Sequence, residues 1–179
     1  MSDTTTTYTI DPAHSTARFW VRHLAISKVH GEIPDVTGNV TVNTASPESS
    51  SVQASLNVAS LTTGNSDRDG HLKSGDFLDT ATYPTITFSS TSVKALGGEE
   101  FEITGDLTIK GVTKSVTLKG EVSPEVKNPF GGYKIGVSLS GQIVRDDFGI
   151  TWNQTLETGG LLVGKEIHLQ IDAEIDRPE

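Results

Sequence analysis

The chain has 179 residues, with 14 Lys and Arg against 23 Asp and Glu, a formal net charge of −9. That length suits one domain with its own core, and so acidic a surface repels phosphate backbones and anionic headgroups, which argues against nucleic-acid binding. There is no cysteine, so disulfides, thiolate metal sites, iron–sulfur clusters and a cysteine nucleophile are all excluded.

The opening Met1-Ser2-Asp3-Thr4 has no basic region followed by an apolar one, so no secretory signal is expected and a cytoplasmic protein is the default. Residues 1–7 are expected to form a disordered tail ahead of a single domain over 8–179. No run approaches the roughly 18 apolar residues of a membrane-spanning helix. From Thr16 onward the dominant pattern is alternation, the mark of strands with one buried face. Ala17, Phe19 and Val21 alternate with Arg18, Trp20 and Arg22, and Val52, Ala54, Leu56 and Val58 alternate with Gln53, Ser55 and Asn57. Shorter patterns cover Val36 to Asn43 and Thr85 to Val93. Phe101, Ile103, Leu107 and Ile109 lead through Lys110-Gly111 to Val116, Leu118 and Val122, which reads as a hairpin. Tyr133 to Ile143 and Ile167 to Ile175 complete about eight strands. Eight hairpin-linked strands with one apolar face each need either closure or a second sheet, because open edges invite aggregation. Closure into an all-β antiparallel barrel is the preferred reading, with a sandwich as the alternative.

The connection from Ser60 to Pro84 is too long for a hairpin loop and is expected to form a short helical cap. Within it, Ser66-Asp67-Arg68-Asp69 reads as a capping-box variant, Gly75 as the helix stop, and Asp69 and Lys73 as an i, i+4 pair. Small residues interrupt the apolar stripes: Ala54, Gly105, Gly120 and Gly141 each sit among larger neighbours. Such glycines either mark barrel corners or leave room for a ligand inside. With walls of Val, Ile, Leu, Phe and Ala, that ligand would be apolar and elongated.

Five histidines, His14, His23, His30, His71 and His168, show no metal-ligand spacing, and no nucleophile elbow, Walker loop or dinucleotide fingerprint occurs. No metal or cofactor is expected. Two polar clusters, Arg68-Asp69-Gly70-His71 and Arg145-Asp146-Asp147, admit acid–base pairing in a pocket, but helix capping and strand-end ion pairing account for them more simply. Trp20 falls on the polar face, where it is covered by the cap, stacks on arginine, or meets another subunit.

Six ordered motifs between Tyr8 and Ile175 resemble the YceI-like polyisoprenoid-binding family. They are Tyr8-x-Ile10-Asp11-x-x-His14-Ser15 leading to Phe19-x-Val21-x-His23, Arg68-Asp69-x-His71-Leu72, Asp76-Phe77-x-Asp79, Tyr83-Pro84-x-Ile86-x-Phe88, Gly105-Asp106-Leu107 through Thr113, and Arg145-Asp146-x-Phe148-Gly149. The resemblance implies an extended, lipocalin-like barrel of eight strands, often a homodimer, holding a polyprenyl or quinone-type lipid in an apolar pore. Leu78 stands where the family commonly has a second Phe, and many members are exported, unlike the reading of this N-terminus. The expected function is therefore non-enzymatic binding, storage or transport of an isoprenoid lipid. Phe19, Val21, Leu56, Phe88, Ile103, Leu107, Val137, Leu139 and Ile143 are expected in the wall and Phe77 near the mouth, with Asp11, His14, Arg68, Asp69, His71, Arg145 and Asp146 as the polar motif residues. The alternatives are an enzyme acting on a lipid through Asp69, His71 and Arg145, and an interaction or stress protein whose barrel is packed solid.

Overall fold

Alternating sequence becomes antiparallel ladder in the computed structural model, which describes residues 5–179. The strands are β1 (Thr5–Ile10), β2 (Thr16–His23), β3 (Ser27–Ile33), β4 (Val36–Asn43), β5 (Ser51–Asn57), β6 (Thr85–Gly97), β7 (Glu100–Ile109), β8 (Val112–Val122), β9 (Val126–Lys127), β10 (Tyr133–Val144) and β11 (Glu166–Arg177). A single α-helix, α1 (Ser66–Lys73), lies between β5 and β6 among the described residues.

Each of β4 to β8 pairs antiparallel with the next, β8 pairs with β10, and β10 zips to β11 over twelve residue pairs. β1 lies between β11 and β4 and closes the ring. β2 continues β1 along the same edge of β11, and β3 runs into β4, so each of these pairs acts as one bent strand and the barrel counts eight. The bends have local causes. Asp11 accepts a hydrogen bond from the Ala13 N–H and Pro12 opens a 3-10 turn, while Pro34, which has no N–H to donate to a ladder, separates β3 from β4.

Several sequence expectations need correction. Thr5–Thr7 belong to β1, in register with Asn43 to Thr41, because the edge of β4 would otherwise be unpaired; the rest of the expected tail, residues 1–4, lies outside the described residues. β1 and β3 add to the predicted strands. Val58 leaves the strand for a 3-10 turn, Val58–Ser60, whose N-cap is Asn57. The cap of α1 is Asn65 and not Ser66: its side chain accepts from the Arg68 N–H at 3.0 Å. Ser74, not Gly75, ends the helix, and Lys73 donates to the Ala59 carbonyl at 2.8 Å in place of a hydrogen bond to Asp69.

The core forms two clusters. One gathers Phe77, Ile86, Leu107, Ile109, Phe148 and Ile150 beneath α1, and the other joins Tyr8, Ile10, Val36, Ile135 and Ile175. Between and beyond them Ile103 and Leu118 are buried, while much of the remaining inner wall is half-buried.

Candidate functional site: the barrel lumen

Residues at every second position share a face, and the register places the apolar set of each strand beside that of its neighbour. Leu139 faces both Gly120 of β8 and Ile171 of β11, and Val137 faces Val122 and Ala173. These rows enclose a cavity of about 770 Å³, within the ordinary range of ligand pockets, about 300–1,000 Å³. Its lining runs the length of the barrel, from Arg22, Arg68 and Trp152 at the α1 end to Asn43, Pro47 and Glu99 at the other. All ten residues assigned to wall and mouth border it: Phe19 and Val21 from β2, Leu56 from β5, Phe88 from β6, Ile103 and Leu107 from β7, Val137, Leu139 and Ile143 from β10, and Phe77 from the α1 connection. Sequence reading did not single out Val29, Trp152 and Leu162, which join them. Trp152 and Leu162 sit in the irregular stretch after β10, where no period marks an inward face.

The glycines leave room inside the barrel, and they do so indirectly. Gly105, Gly120 and Gly141 are not among the residues with positive φ, although the bulge between Ser90 and Ser92 lies opposite Gly105, so left-handed backbone is not what selects them. Each instead receives a side chain from a neighbouring strand. An added Cβ would lie 2.5 Å from the Phe88 ring at Gly105, 2.6 Å from Phe101 and Leu139 at Gly120, and 2.5 Å from Leu118 at Gly141. Gly31 seats Phe19 in the same way, at 2.4 Å. Large side chains thus lie flat against the wall over a glycine, as in the aromatic rescue of strand glycines, and the lumen stays clear.

The α1 end is plugged by aromatic packing. The His71 ring meets Phe77 and Trp152 edge-on at 5.0 and 4.7 Å, and Phe77 and Trp152 are 5.3 Å apart. The second nitrogen face of His71 is taken by Asp76, whose carboxylate lies 2.9 Å from Nε2. Asp69 accepts from the Thr63 N–H at 2.8 Å and from its hydroxyl; burial alone would raise its pKa, but the Thr63 bonds outweigh that and lower it. Arg68 donates to the Thr63 hydroxyl at 2.7 Å and carbonyl at 3.0 Å. Together these bonds fix the entry of α1.

Arg145 is buried, 3% exposed. Its guanidinium donates to the carbonyls of Gly164 and Ile150 at 2.9 Å, Trp152 at 2.8 Å and Val163 at 3.3 Å, and burial lowers its pKa. It therefore ties the two arms of the loop between β10 and β11. Asp146 pairs with Lys165 at 2.9 Å. His71 and Arg145 border the lumen and Asp69 does not, and the three are each engaged elsewhere and make no hydrogen bond to one another.

Asp11 and His14 lie outside the lumen, at the bend between β1 and β2. Lys134 bonds Asp11, Glu174 and Asp176 at 2.9, 3.0 and 2.8 Å. His14 and Lys134 hold the Asp11 carboxyl down at about 2, and Asp11 in turn raises His14. Asp11, His14 and Glu174 present ligand atoms close enough for a metal ion, but the Lys134 ammonium already contacts both carboxylates. Trp20 stacks on His168, ring centroids 3.7 Å apart and parallel within 1°, and of the placements considered the arginine contact is present, with Arg22 5.5 Å from its ring centre.

The YceI-like domain model matches residues 8–175. The UPF0312 protein SAS2572 of Staphylococcus aureus is 39% identical over 177 residues, covering 97% of this chain and 99% of the relative. Among solved structures, a Campylobacter jejuni YceI protein superposes with a TM-score of 0.73 at 34% identity over 88% of this chain and 90% of that one. Burkholderia cenocepacia BcnA, at 23% identity, shares the fold with a TM-score of 0.80 over 92% and 98% of the two chains. A polyisoprenoid-binding domain from Saccharophagus degradans implicated in plant cell wall breakdown, at 18% identity, shares it with a TM-score of 0.68 over 96% and 98%.

Proposed function

This chain belongs to the YceI-like family, and from that premise we propose that its barrel binds one isoprenoid-type lipid, polyprenyl or quinone-like, and stores or carries it without chemical change. The observation that carries the reading is the lumen: about 770 Å³ bounded by aliphatic and aromatic side chains along the whole barrel. Such walls favour a hydrocarbon tail, since each buried CH₂ contributes about 0.8 kcal/mol before ordering costs. A compact polar metabolite would leave its hydrogen bonds unmet there. Affinity should therefore rise with the number of isoprene units until the tube is filled. The polyisoprenoid-binding description of the Saccharophagus degradans neighbour supports the same ligand class.

The test is organic extraction of the purified protein followed by mass spectrometry, together with titration of a fluorescent polyprenol into the protein in mild detergent. A co-purified isoprenoid or saturable polyprenol binding is expected, with affinity rising with chain length. No co-purified lipid and no saturable binding at any chain length would overturn the reading.

A further inference from the structure

The β2–β3 hairpin differs from the rest of this acidic chain. Residues 16–33 hold Arg18, Arg22 and Lys28 against one acid, Glu32. Arg18 is taken up by Asp172 at 3.0 Å and Glu32 at 3.8 Å. Arg22 and Lys28, directly paired across the hairpin, have no carboxylate partner among the described residues. They flank Trp20 instead, at 5.5 and 4.1 Å from its ring centre. At the tip, Leu24 and Ala25 adopt left-handed conformations, φ 52° and 58°, and the turn thrusts out Ile26, 77% exposed. Leu24 donates to the Leu162 carbonyl at 3.0 Å, which brings the half-exposed Leu161 beside the same tip. An apolar point backed by two free cations and an indole suits the interface of an anionic bilayer.

The same hairpin also borders the lumen. Val21, His23 and Val29 line the cavity, as does Arg68 of α1. The outer edge of β3 is bridged only by Glu32 and Thr62 among the described residues. From Ser27 to Gly31, therefore, no further strand covers the wall between β3 and α1.

We propose that the β2–β3 hairpin docks the protein on an anionic lipid surface, with Ile26 entering the headgroup layer, Arg22 and Lys28 meeting lipid phosphates, and the unpaired edge of β3 turned toward the bilayer. Repulsion of anionic headgroups, expected from the net charge, then describes the rest of the surface and not this hairpin. The opposite end of the barrel also exposes apolar residues, Phe130 at 96% and Val126 at 58%, but the cations near them in the chain and across the barrel are taken up by carboxylates, Lys127 by Glu179 and Arg177 by Glu125. The purpose of docking, loading and release of cargo, rests on the carrier reading, whereas the docking itself rests on the hairpin.

The experiment is co-sedimentation of the full chain with vesicles of phosphatidylcholine alone and of phosphatidylcholine with phosphatidylglycerol, at low and at physiological salt. Binding to the anionic vesicles is expected, weakened by salt and about tenfold or more above that to neutral ones. Ile26→Asp and the double variant Arg22→Glu, Lys28→Glu should each lower it about tenfold or more, with circular dichroism confirming the fold and Phe130→Asp leaving binding unchanged. Equal binding to both vesicle types, no binding to either, or loss with Phe130→Asp but not with Ile26→Asp would overturn the proposal. Polyprenol titration in detergent separates the two readings. Cargo binding without sedimentation rejects docking alone, and sedimentation without cargo binding rejects the carrier alone.

Discussion

Replacing single wall glycines with alanine asks whether they are seats for neighbouring side chains. At Gly120 the new Cβ would lie 2.6 Å from Leu139 Cδ2 and Phe101 Cζ, against 3.4 Å for an ordinary contact. Both atoms end flexible side chains, so a displacement of about 0.8 Å tips them toward the lumen at a cost of about 1 kcal/mol, the low end for overpacking. At Gly105 the same Cβ meets the Phe88 ring at 2.5 Å and, on its other side, the Ser89 backbone carbonyl at 2.6 Å. Backbone on the ladder cannot yield cheaply, and about 3 kcal/mol is expected there. At about 2–4 °C per kcal/mol for a chain of this size, Gly120→Ala should melt about 2–4 °C low and Gly105→Ala about 6–12 °C low. Gly136→Ala, with its nearest contact at 3.4 Å, serves as the neutral control. Thermal melts followed by circular dichroism, without added ligand, read all three. Gly120→Ala should also weaken polyprenol binding about fourfold, the value of roughly one methylene displaced from the tube. If Gly105→Ala melts with the parent protein, or if Gly120→Ala loses as much as Gly105→Ala, the seating argument is wrong.

Two further outcomes follow from the polar clusters. Arg145→Met strips four carbonyls of a shared donor and should cost about 3 kcal/mol or more, and Arg145→Lys should rescue little because one ammonium cannot span the fork; urea midpoints close to the parent value for either variant would refute the structural role given to this guanidinium. Asp11 has a depressed pKa, about 2 against an ordinary 3.8, so its contribution is present above pH 3.8 and is lost as pH falls through about 2. His14, raised by the same pair, acts oppositely, its contribution being present at low pH and lost as pH rises through its folded value. Asp11→Asn should therefore flatten the fall in urea midpoint between about pH 4 and pH 2, and an unchanged slope there would show that the carboxylate carries no such linkage.

Strands with a clean period were legible from the sequence, and those built by tertiary pairing were not. The β7–β8 hairpin announces itself through alternation on both sides of Lys110-Gly111. β3 is hidden because its turn uses Leu24 and Ala25 in conformations usually given to Asn and Gly. β1 opens on three threonines, Thr5 to Thr7, whose strand character comes only from the edge of β4. The wall residues could be assigned because an inward face follows from alternation. Their packing could not: Phe88 faces Leu107 in register yet lies over Gly105, a diagonal contact that exists only once the register is fixed. Arg145 looked like half of an ion pair because its neighbours in sequence are acidic, while the carbonyls that it binds belong to a loop with no period to read.

β11 touches three partners, β10 along its whole length and β1 and β2 on its other edge. It is also the last strand of the barrel to leave the ribosome. Until it emerges, the ten earlier strands have no means of completing the circle, and the inner apolar face of a nascent sheet stays open to other chains. A ribosome stalled just short of Glu166 would present an adhesive half-pipe rather than a smaller vessel.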